Sequence, residues 1–310
     1  MSLVEKALRK MQSAQVAATE RPNVGAAQRT SDPAPEAVRP ALAVPTQAPS
    51  PPPQPTCRTD KVVAVNTATL RARGLLPYPE NERRMTAEYR AIKRPVMAIA
   101  KGRVAPVQPN GKVVMIASAL PGEGKSFTSI NLAFSLAMEK DTSVVLVDGD
   151  GAKSRVSRAF DVQDEPGLTD LLADERRDTA SVVLPTSMKG LSLLPAGREA
   201  SNATELFGSA RMEEIIAELL SRDPTRIVLF DSPPLLLTTE SRALIAVAGQ
   251  VLLVVRAGET THRAAQDAIA CIGEGKQVGL VLNYCEPEAN PFYYGYGEYG
   301  DAADGVADRR

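Results

Sequence analysis

A glycine-rich loop at residues 118–126, with the sequence SALPGEGKS, carries the clearest chemical signal in the chain. It follows an apolar run at residues 113–117 that predicts a strand, and it precedes a predicted helix that begins at Phe127. In this context the backbone N–H groups of the loop and the N-terminus of the helix can surround phosphate oxygens, as in a P-loop. We therefore predict that the phosphates of a nucleotide bind at Pro121, Gly122, Glu123, Gly124, Lys125, Ser126 and Phe127.

Lys125 and Ser126 close this loop, and each residue type suggests a specific contact. The lysine would reach the β- and γ-phosphates, and the serine would place its hydroxyl on Mg²⁺. The loop departs from the usual G-x-x-x-x-G-K-[ST] pattern at its first position, where Ala119 stands. The predicted strand and helix on either side favour a P-loop over the alternative, a glycine-rich turn with a surface lysine.

Apolar runs at residues 144–147 and 227–230 each end in an aspartate, Asp148 and Asp231. Ligands of an open α/β sheet bind at the carboxyl ends of its strands, so we expect both carboxylates to face the phosphate loop. Carboxylates there would hold Mg²⁺ or its water together with Ser126. Either aspartate alone has a simpler alternative as a helix cap or turn residue.

Apolar runs alternate with helical stretches through most of the chain. Such alternation predicts an α/β fold in which helices cover both faces of a mostly parallel sheet, as in a P-loop NTPase. The predicted strands lie at residues 113–117, 144–147, 191–194, 227–230, 251–255 and 278–282, and the predicted helices at residues 127–140, 204–220, 240–247 and 261–272.

Composition excludes several classes of protein. The chain has 310 residues, of which 44% are apolar and 24% charged, and its net charge of −1 gives no overall attraction to nucleic acid. The longest uncharged apolar run, residues 243–255, is shorter than the roughly 18 residues that a membrane-spanning helix needs. Charged residues near the N-terminus leave no room for the apolar core of a signal peptide. We therefore expect a cytoplasmic protein.

Composition also divides the chain into five segments. Nine of the 24 prolines lie in residues 33–55, which predicts a disordered or polyproline linker. A short amphipathic helix before the linker is either a docking element on a tether or a marginal helix of no consequence. The predicted segments are this helix at residues 1–14, the linker at 15–78, a basic lead-in helix at 79–104, the P-loop domain at 105–290 and a disordered tyrosine-rich tail at 291–310.

Charge is unevenly distributed between the lead-in helix and the C-terminus. Residues 80–103 carry seven basic and three acidic side chains, whereas residues 286–310 carry six acidic side chains against Arg309 and Arg310. Opposite charges of this kind favour association between subunits. We expect a homo-oligomer whose contacts involve the lead-in helix and the tail.

Four of the seven tyrosines of the chain lie close together in the tail. Glycines at 295, 297 and 300 separate them and favour a flexible segment that can enter another subunit's site. The alternative is a low-complexity Gly-Tyr strip that is only an interaction surface. The candidate phosphate acceptors are Tyr293, Tyr294, Tyr296 and Tyr299.

In combination, these motifs resemble the bacterial tyrosine kinases (BY-kinases), most of all the autokinases associated with exosortase and exopolysaccharide gene clusters. The resemblance rests on the loop at 118–126, a second Walker-type motif that ends in Asp148-Gly-Asp150, the apolar run into Asp231 and the tyrosine-rich C-terminus. It covers roughly residues 80–300, with further similar stretches at residues 88–95, 194–198, 203–206 and 235–240.

This resemblance implies a fold related to the septum-placement and chromosome-partitioning ATPases. It also implies transfer of the γ-phosphate of ATP, with Mg²⁺, to tyrosines in the tail of a neighbouring subunit. Among the candidate catalytic residues, Lys125 would bind phosphate, Asp148 would act as the base with Asp150 beside it, and Asp231 would hold Mg²⁺ with Ser126. Asn283 matches a position that often contacts adenine in related ATPases.

The same resemblance implies the protein's cellular role. It suggests control of exopolysaccharide polymerisation or export, through a separate membrane-anchored chain-length regulator that recruits the kinase to the inner face of the membrane. No nucleic-acid partner is expected.

Two family motifs are incomplete in this chain. The second Walker motif of the family usually reads D-x-D-x-R, but Ala152 stands at the arginine position. The oligomerisation motif E-x-x-R-x-x-R aligns on Arg90, which puts Ala87 at the glutamate and Lys93 at the last arginine, where a lysine cannot copy the two-pronged contact of arginine. Glu88 can replace the missing glutamate by a shift of one residue.

Two other functions are compatible with a P-loop. A positioning ATPase of the septum or partition type would transfer phosphate only to water. Such ATPases have an extra lysine in a K-G-G-x-G-K-T loop, and Leu120 occupies that position here. A non-catalytic assembly factor that uses nucleotide only as a switch is the third possibility.

Overall fold

A computed structural model describes residues 61–200 and 202–285 of the chain. The predicted helix at residues 1–14, the proline-rich stretch at 33–55 and the tail at 291–310 lie outside these residues, as do the four candidate acceptor tyrosines. All structural statements below concern the described residues.

Seven strands form one sheet with the spatial order β3-β4-β2-β5-β1-β6-β7. Every neighbouring pair is parallel except β3 and β4, which are antiparallel. The parallel strands are connected by helices, as the alternating pattern predicts, so the mostly parallel α/β fold is confirmed. The strands are β1 (Val113–Ser118), β2 (Ser143–Asp148), β3 (Leu184–Pro185), β4 (Leu191–Leu194), β5 (Arg226–Asp231), β6 (Gln250–Arg256) and β7 (Gln277–Asn283).

Nine α-helices surround this sheet in the described part of the chain. They are α1 (Thr67–Ala72), α2 (Glu82–Ala100), α3 (Lys125–Ala137), α4 (Arg155–Ala159), α5 (Leu168–Ala173), α6 (Ala203–Phe207), α7 (Ala210–Ser221), α8 (Glu240–Val247) and α9 (His262–Ile272). None of these helices is long and apolar enough to cross a membrane.

Both faces of the central strands are buried, because alternate side chains of each strand enter one of two apolar cores. Met115 of β1 belongs to the core that also contains Met212 of α7 and Leu244 of α8. Ile116, the next residue of β1, belongs to the opposite core with Leu132 of α3 and Val96 of α2. Burial on both faces explains why these strands are almost wholly apolar.

Strand β7 is the exception to the expectation that all the predicted strands are covered on both faces. Its residues alternate between partly buried and exposed, and Leu280 and Leu282 are 63% and 62% exposed. The strand pairs only with β6 and forms the edge of the sheet, and α9 packs over β6 rather than over β7. The apolar sequence of β7 therefore does not imply cover on both faces.

The single helix predicted over residues 204–220 is wrong, because the structure has two helices there, α6 and α7. Between them the backbone of Ser209 is extended, with φ −81° and ψ 158°, which is not a helical conformation. Gly208 precedes it, and glycine is unfavourable in a helix interior. Short helices α4 and α5 were not predicted, because five or six residues are too few to show a clear periodicity.

Residues 61–78 are ordered and packed, so the prediction that the linker extends to residue 78 is wrong. Val63 forms a bridge with Thr186 beside the edge strand β3. Helix α1 begins after Asn66, whose side chain accepts a hydrogen bond from the Thr69 N–H, a usual N-cap. Leu70 is only 1% exposed. Burial of such apolar residues places residues 61–78 in the folded unit.

Replacing Leu70 with alanine tests whether α1 is an integral part of the folded unit. Loss of a fully buried leucine should lower the free energy of unfolding by about 2–5 kcal/mol. The matched control is Leu280→Ala on the open face of β7, which should cost less than about 0.5 kcal/mol. Urea unfolding measures both variants, and equal losses for the two would contradict this description of α1.

Candidate active site

The loop between β1 and α3 has the conformation of a phosphate-binding loop. Gly124, the residue before α3, has φ +94°, which favours glycine over other residues. A Cβ at this position would lie 1.9 Å from Nδ2 of Asn283, so the loop and the end of β7 are in close contact. Helix α3 begins at Lys125, and its N-terminus is directed toward the loop, as expected from the sequence.

Lys125 is buried at the start of α3, where its Nζ donates a hydrogen bond to Oγ of Ser118 at 2.8 Å. Burial lowers the pKa of Lys125, whereas the negative charges of Asp231 and Asp150 favour the protonated form. An ammonium group that is buried and poorly solvated gains more from a bound phosphate than an exposed one would.

Asp231, at the carboxyl end of β5, lies against the first turn of α3. Its carboxylate accepts hydrogen bonds from Oγ of Ser126 at 2.7 Å and from Oγ of Ser129 at 2.9 Å. Burial raises the pKa of Asp231 to about 6, against the effect of these bonds and of the Lys125 charge. Ser126 and Asp231 thus come together as predicted.

Ser129 is a functional candidate that sequence reasoning missed. It lies three residues after Ser126 on α3, and residues with this spacing share one face of a helix. Its hydroxyl donates to Asp231 and also approaches the carbonyl of Lys125 at 3.0 Å. The helical spacing from Ser126 is the signal that identifies it.

Asp148 accepts its hydrogen bonds from Ser157 and from the N–H of Asp150 rather than from the phosphate loop, which the sequence predicts it to face. It is adjacent to Asp231 in the β2–β5 register, but its Oδ2 accepts hydrogen bonds from the N–H and the Oγ of Ser157, both at 2.7 Å. Burial raises the pKa of Asp148 to about 7, and the charge of Asp231 adds to this effect. Ser157 lies on α4, which was not predicted.

A pocket of about 250 Å³ opens beside the loop. Tyr284 lines it, although this residue was not singled out from the sequence. Glu123, Asp148, Asp231 and Asn283 were predicted for the site but are not among its lining residues. The predicted residues that line the pocket are Pro121, Gly122, Gly124, Lys125, Ser126, Phe127 and Asp150.

Glu123 instead braces the loop from behind. Its buried carboxylate accepts hydrogen bonds from the N–H of Leu120, at 2.7 Å, and from the hydroxyl of Thr260. Thr260 lies between β6 and α9, and its Oγ1 accepts a further bond from the N–H of Arg256 at 2.9 Å. Glu123 therefore ties the phosphate loop to the β6–α9 connection.

Asn283 makes a second tie to the loop from the end of β7. Its Nδ2 donates to the backbone carbonyl of Glu123 at 3.0 Å, so this side chain holds the loop. Tyr284 follows with φ +59°, and the guanidinium of Arg256 lies 4.4 Å from the centre of its ring. This distance is typical of a cation–π contact.

Ser126 and Asp231 have the chemistry of a magnesium site. Mg²⁺ is usually held in nucleotide sites by one or two protein oxygens, and phosphates and waters supply the remainder. The raised pKa of buried Asp231 indicates that the protein compensates the negative charge of this carboxylate only in part. A divalent cation beside it would supply the remaining positive charge. Asp148 fits less well as a ligand, because Ser157 already donates twice to one of its oxygens.

Comparisons with known proteins agree with this geometry. Residues 111–277 match the AAA domain family. The tyrosine-protein kinase YwqD of Bacillus subtilis is 30% identical over 220 residues, which are 70% of this chain and 89% of YwqD. The crystal structure of the VpsO kinase domain is 30% identical with a TM-score of 0.56, and the match covers 68% of this chain and 100% of VpsO.

The chain belongs to the bacterial tyrosine kinases. The tyrosine-protein kinase wzc of Salmonella typhimurium is 32% identical over 201 residues, which are 64% of this chain but 27% of wzc. The chain therefore spans about a quarter of the length of larger curated relatives and most of the length of YwqD.

In this bacterial tyrosine kinase, Lys93 stands where the oligomerisation motif has its last arginine, and its side chain binds within the same chain. Lys93 of α2 forms an ion pair with Glu139 at 2.5 Å and donates to the carbonyl of Ser135 on α3. Glu88, the proposed replacement for the motif glutamate, pairs with Arg84 one turn earlier on the helix. The contacts of Lys93 attach α2 to α3 and to Glu139, which follows α3.

Replacing Glu123 with alanine tests the brace behind the phosphate loop. The variant leaves the N–H of Leu120 without its acceptor, so the free energy of unfolding should fall by about 1–3 kcal/mol. A loosened loop should also bind nucleotide about tenfold more weakly, equivalent to about 1.4 kcal/mol. Glu123→Gln retains one acceptor oxygen and should lose less. Calorimetric binding and urea unfolding measure both effects, with Glu274→Ala, on an exposed turn, as the control. Wild-type values for Glu123→Ala would refute the role of the brace.

The raised pKa values of Asp148 and Asp231 predict an unusual pH dependence of stability. Between pH 4 and 7 the folded state retains protons that the unfolded state has lost, so the free energy of unfolding falls as pH rises through this window. In EDTA, without nucleotide, the protein should be less stable at pH 8 than at pH 5 by at least about 1 kcal/mol.

Asp231→Asn is the matched variant for this measurement. It removes one titrating group and the charge that raises the pKa of Asp148, so its stability should change less between pH 5 and pH 8. The serine hydroxyls can still bond to the asparagine amide. Parallel profiles for the variant and the wild type would show that the pH dependence arises elsewhere.

Proposed function

We propose that this chain is an ATP- and Mg²⁺-dependent protein-tyrosine autokinase, which phosphorylates the tail tyrosines of a neighbouring copy. The observation that carries the proposal is the arrangement of Lys125, Ser126 and Asp231 at one end of the sheet, in a chain of the bacterial tyrosine kinase family. YwqD, which the chain matches over most of its length, is itself described as a tyrosine-protein kinase.

The chain's own residues bind and orient the nucleotide in this proposal. The N–H groups of the loop and Lys125 would hold the phosphates, and the base would lie near Tyr284, which lines the pocket, and near Asn283, which precedes it. Ser126 and Asp231 would hold Mg²⁺, and Ser129 fixes the orientation of Asp231. When bound, the ion neutralises charge on the β- and γ-phosphates.

Asp148 is the proposed base for the tyrosine hydroxyl. A pKa of about 7 suits a group that must accept a proton near neutral pH. Asp150 is the alternative, because it lines the pocket whereas Asp148 is bound to Ser157. Asp148→Asn and Asp150→Asn, compared as separate variants, distinguish the two roles: loss of transfer in the first alone supports Asp148.

The proposed acceptors are Tyr293, Tyr294, Tyr296 and Tyr299. Tyr89 is a poor acceptor, because its side chain, on α2, is buried and burial raises the pKa of its hydroxyl. The four acceptors lie in a glycine-containing segment, a composition that is compatible with transfer between copies.

Assembly and location are further parts of the proposal. The side chains of Arg83, Arg90 and Arg94 are exposed on α2 and available to a second copy, whereas Lys93 is bound within the chain. We retain the predicted homo-oligomer through residues 80–103 and the tail. We also retain a cytoplasmic location, recruitment to the inner face of the membrane by a membrane-anchored chain-length regulator, and a role in exopolysaccharide polymerisation or export.

Incubation with γ-labelled ATP and Mg²⁺, followed by phosphoamino-acid analysis and mass spectrometry, tests the activity. We expect phosphotyrosine on the four tail tyrosines, and a loss of at least about 100-fold in Lys125→Ala, because a buried phosphate contact is removed. Lys276→Ala is the control lysine, remote from the loop. Labelled inorganic phosphate without phosphotyrosine would identify a positioning ATPase, and bound ATP that is never cleaved would identify a nucleotide switch.

A further inference from the structure

A second cavity, of about 780 Å³, lies beside the nucleotide pocket and shares four lining residues with it. Two of the shared residues, Lys153 and Arg155, are basic and follow the Asp148-Gly-Asp150 motif. Arg73 is a third, contributed by the segment after α1. A group bound in the cavity would therefore lie directly next to the predicted position of the phosphates. We call this cavity the basic cleft.

Positive charge predominates in the basic cleft. Its charged lining residues are four cations, namely Arg73, Lys153, Arg155 and Arg158, and one carboxylate, Asp161. The carboxylate is already paired with Arg73 at 2.8 Å. The side chains of Lys153, Arg155 and Arg158 are exposed and form no ion pair with the described residues.

The wall of the basic cleft is held in place by the fold. Arg73 donates to the carbonyls of Arg158 and Ala159, in addition to its ion pair, and so joins the segment after α1 to α4. Asn131 of α3 donates to the carbonyl of Leu75 at 2.9 Å, which fixes the same segment on the other side. The unpaired cations are thus presented on a fixed surface rather than on a loose chain.

A ligand for three unpaired cations beside a nucleotide pocket must be anionic, and for a kinase it must also carry a hydroxyl. Residues 286–310 of this chain meet both requirements, with six acidic side chains, two arginines at the end and four tyrosines. Guanidinium groups bind carboxylates through paired charge-assisted hydrogen bonds, and opposite charges accelerate encounter.

We infer that the basic cleft is the docking site for the acidic, tyrosine-rich segment 286–310 of a second copy of the chain. The segment's carboxylates bind Lys153, Arg155 and Arg158, and a tyrosine between them enters the adjacent nucleotide pocket. This inference rests on the proposed function, because the docked tyrosine is taken to be the substrate of the kinase. Docking itself does not require phosphate transfer. It moves the main contact of the tail from the α2 helix to the cleft.

Trans-phosphorylation between two full-length forms tests the inference. The enzyme carries Tyr293, Tyr294, Tyr296 and Tyr299 replaced by phenylalanine, and the acceptor is the Lys125→Ala chain. Adding Arg158→Glu to the enzyme should raise KM for the acceptor about tenfold and leave kcat and KM for ATP nearly unchanged, because Arg158 lines the cleft but not the nucleotide pocket. Arg263→Glu, an exposed arginine on α9, is the charge-matched control.

Charge exchange makes the test specific. An acceptor with Glu298, Asp301 and Asp304 replaced by lysine should have a high KM with the enzyme that retains Arg158. Its KM should be lower with the enzyme that carries Arg158→Glu. An equal KM for Arg158→Glu and Arg263→Glu would overturn the inference. A change in KM for ATP alone would also overturn it, because the cleft would then serve the nucleotide.

A binding measurement separates failure of docking from failure of the kinase proposal. A fluorescent synthetic peptide of residues 286–310 should bind the enzyme whose four tail tyrosines are phenylalanine, as followed by anisotropy. It should bind the Arg158→Glu form of that enzyme about tenfold more weakly, with a smaller difference at high salt. If the peptide binds in this way but no phosphotyrosine forms, the kinase proposal fails and the docking site stands. If phosphotyrosine forms but the peptide does not distinguish the variants, the docking site fails.

Discussion

The burial of opposite charges where β1, β2 and β5 end is the constraint on which the rest of the structure depends. Parallel strands bring Asp148 and Asp231 side by side, and the loop after β1 places Lys125 near Asp231. The protein alone compensates these charges only in part, since Asp231 retains a pKa of about 6 despite two serine donors and a nearby ammonium. In the function that we propose, the magnesium ion would supply positive charge beside Asp231, and the phosphates of the nucleotide would supply negative charge beside Lys125.

Two hydrogen-bonded ties convert a glycine-rich loop into a fixed binding surface. Glycines allow the loop to turn, but they also give it freedom that binding would have to remove. The Glu123 carboxylate and the Asn283 amide remove much of that freedom before any ligand arrives, through Thr260 and through the carbonyl of Glu123. The two ties connect the phosphate loop to the β6–α9 connection and to the end of β7.

Sequence patterns predicted the parts of this structure that repeat over several residues. Six strands and the P-loop followed from apolar runs and from the spacing of Gly124, Lys125 and Ser126. Contacts between distant residues did not follow, because no local pattern encodes them. The two hydrogen bonds from Ser157 to Asp148 depend on a five-residue helix. The hydrogen bond between Glu123 and Thr260 depends on a loop 137 residues away. Helix α1 did not follow from the sequence either, because it is short and lies near a proline-rich stretch that predicts a linker. Burial of Leu70 is what orders it.

The distribution of charge relates the interior of the site to its mouth. Carboxylates dominate inside, where Asp148, Asp150 and Asp231 are buried, whereas exposed cations dominate outside, at the basic cleft. An acidic peptide is therefore attracted to the mouth but repelled from the interior unless a cation is bound there. In the docking that we infer, the acidic side chains of the segment would therefore remain at the mouth with the exposed cations, and only the uncharged side chain of a tyrosine would enter the interior.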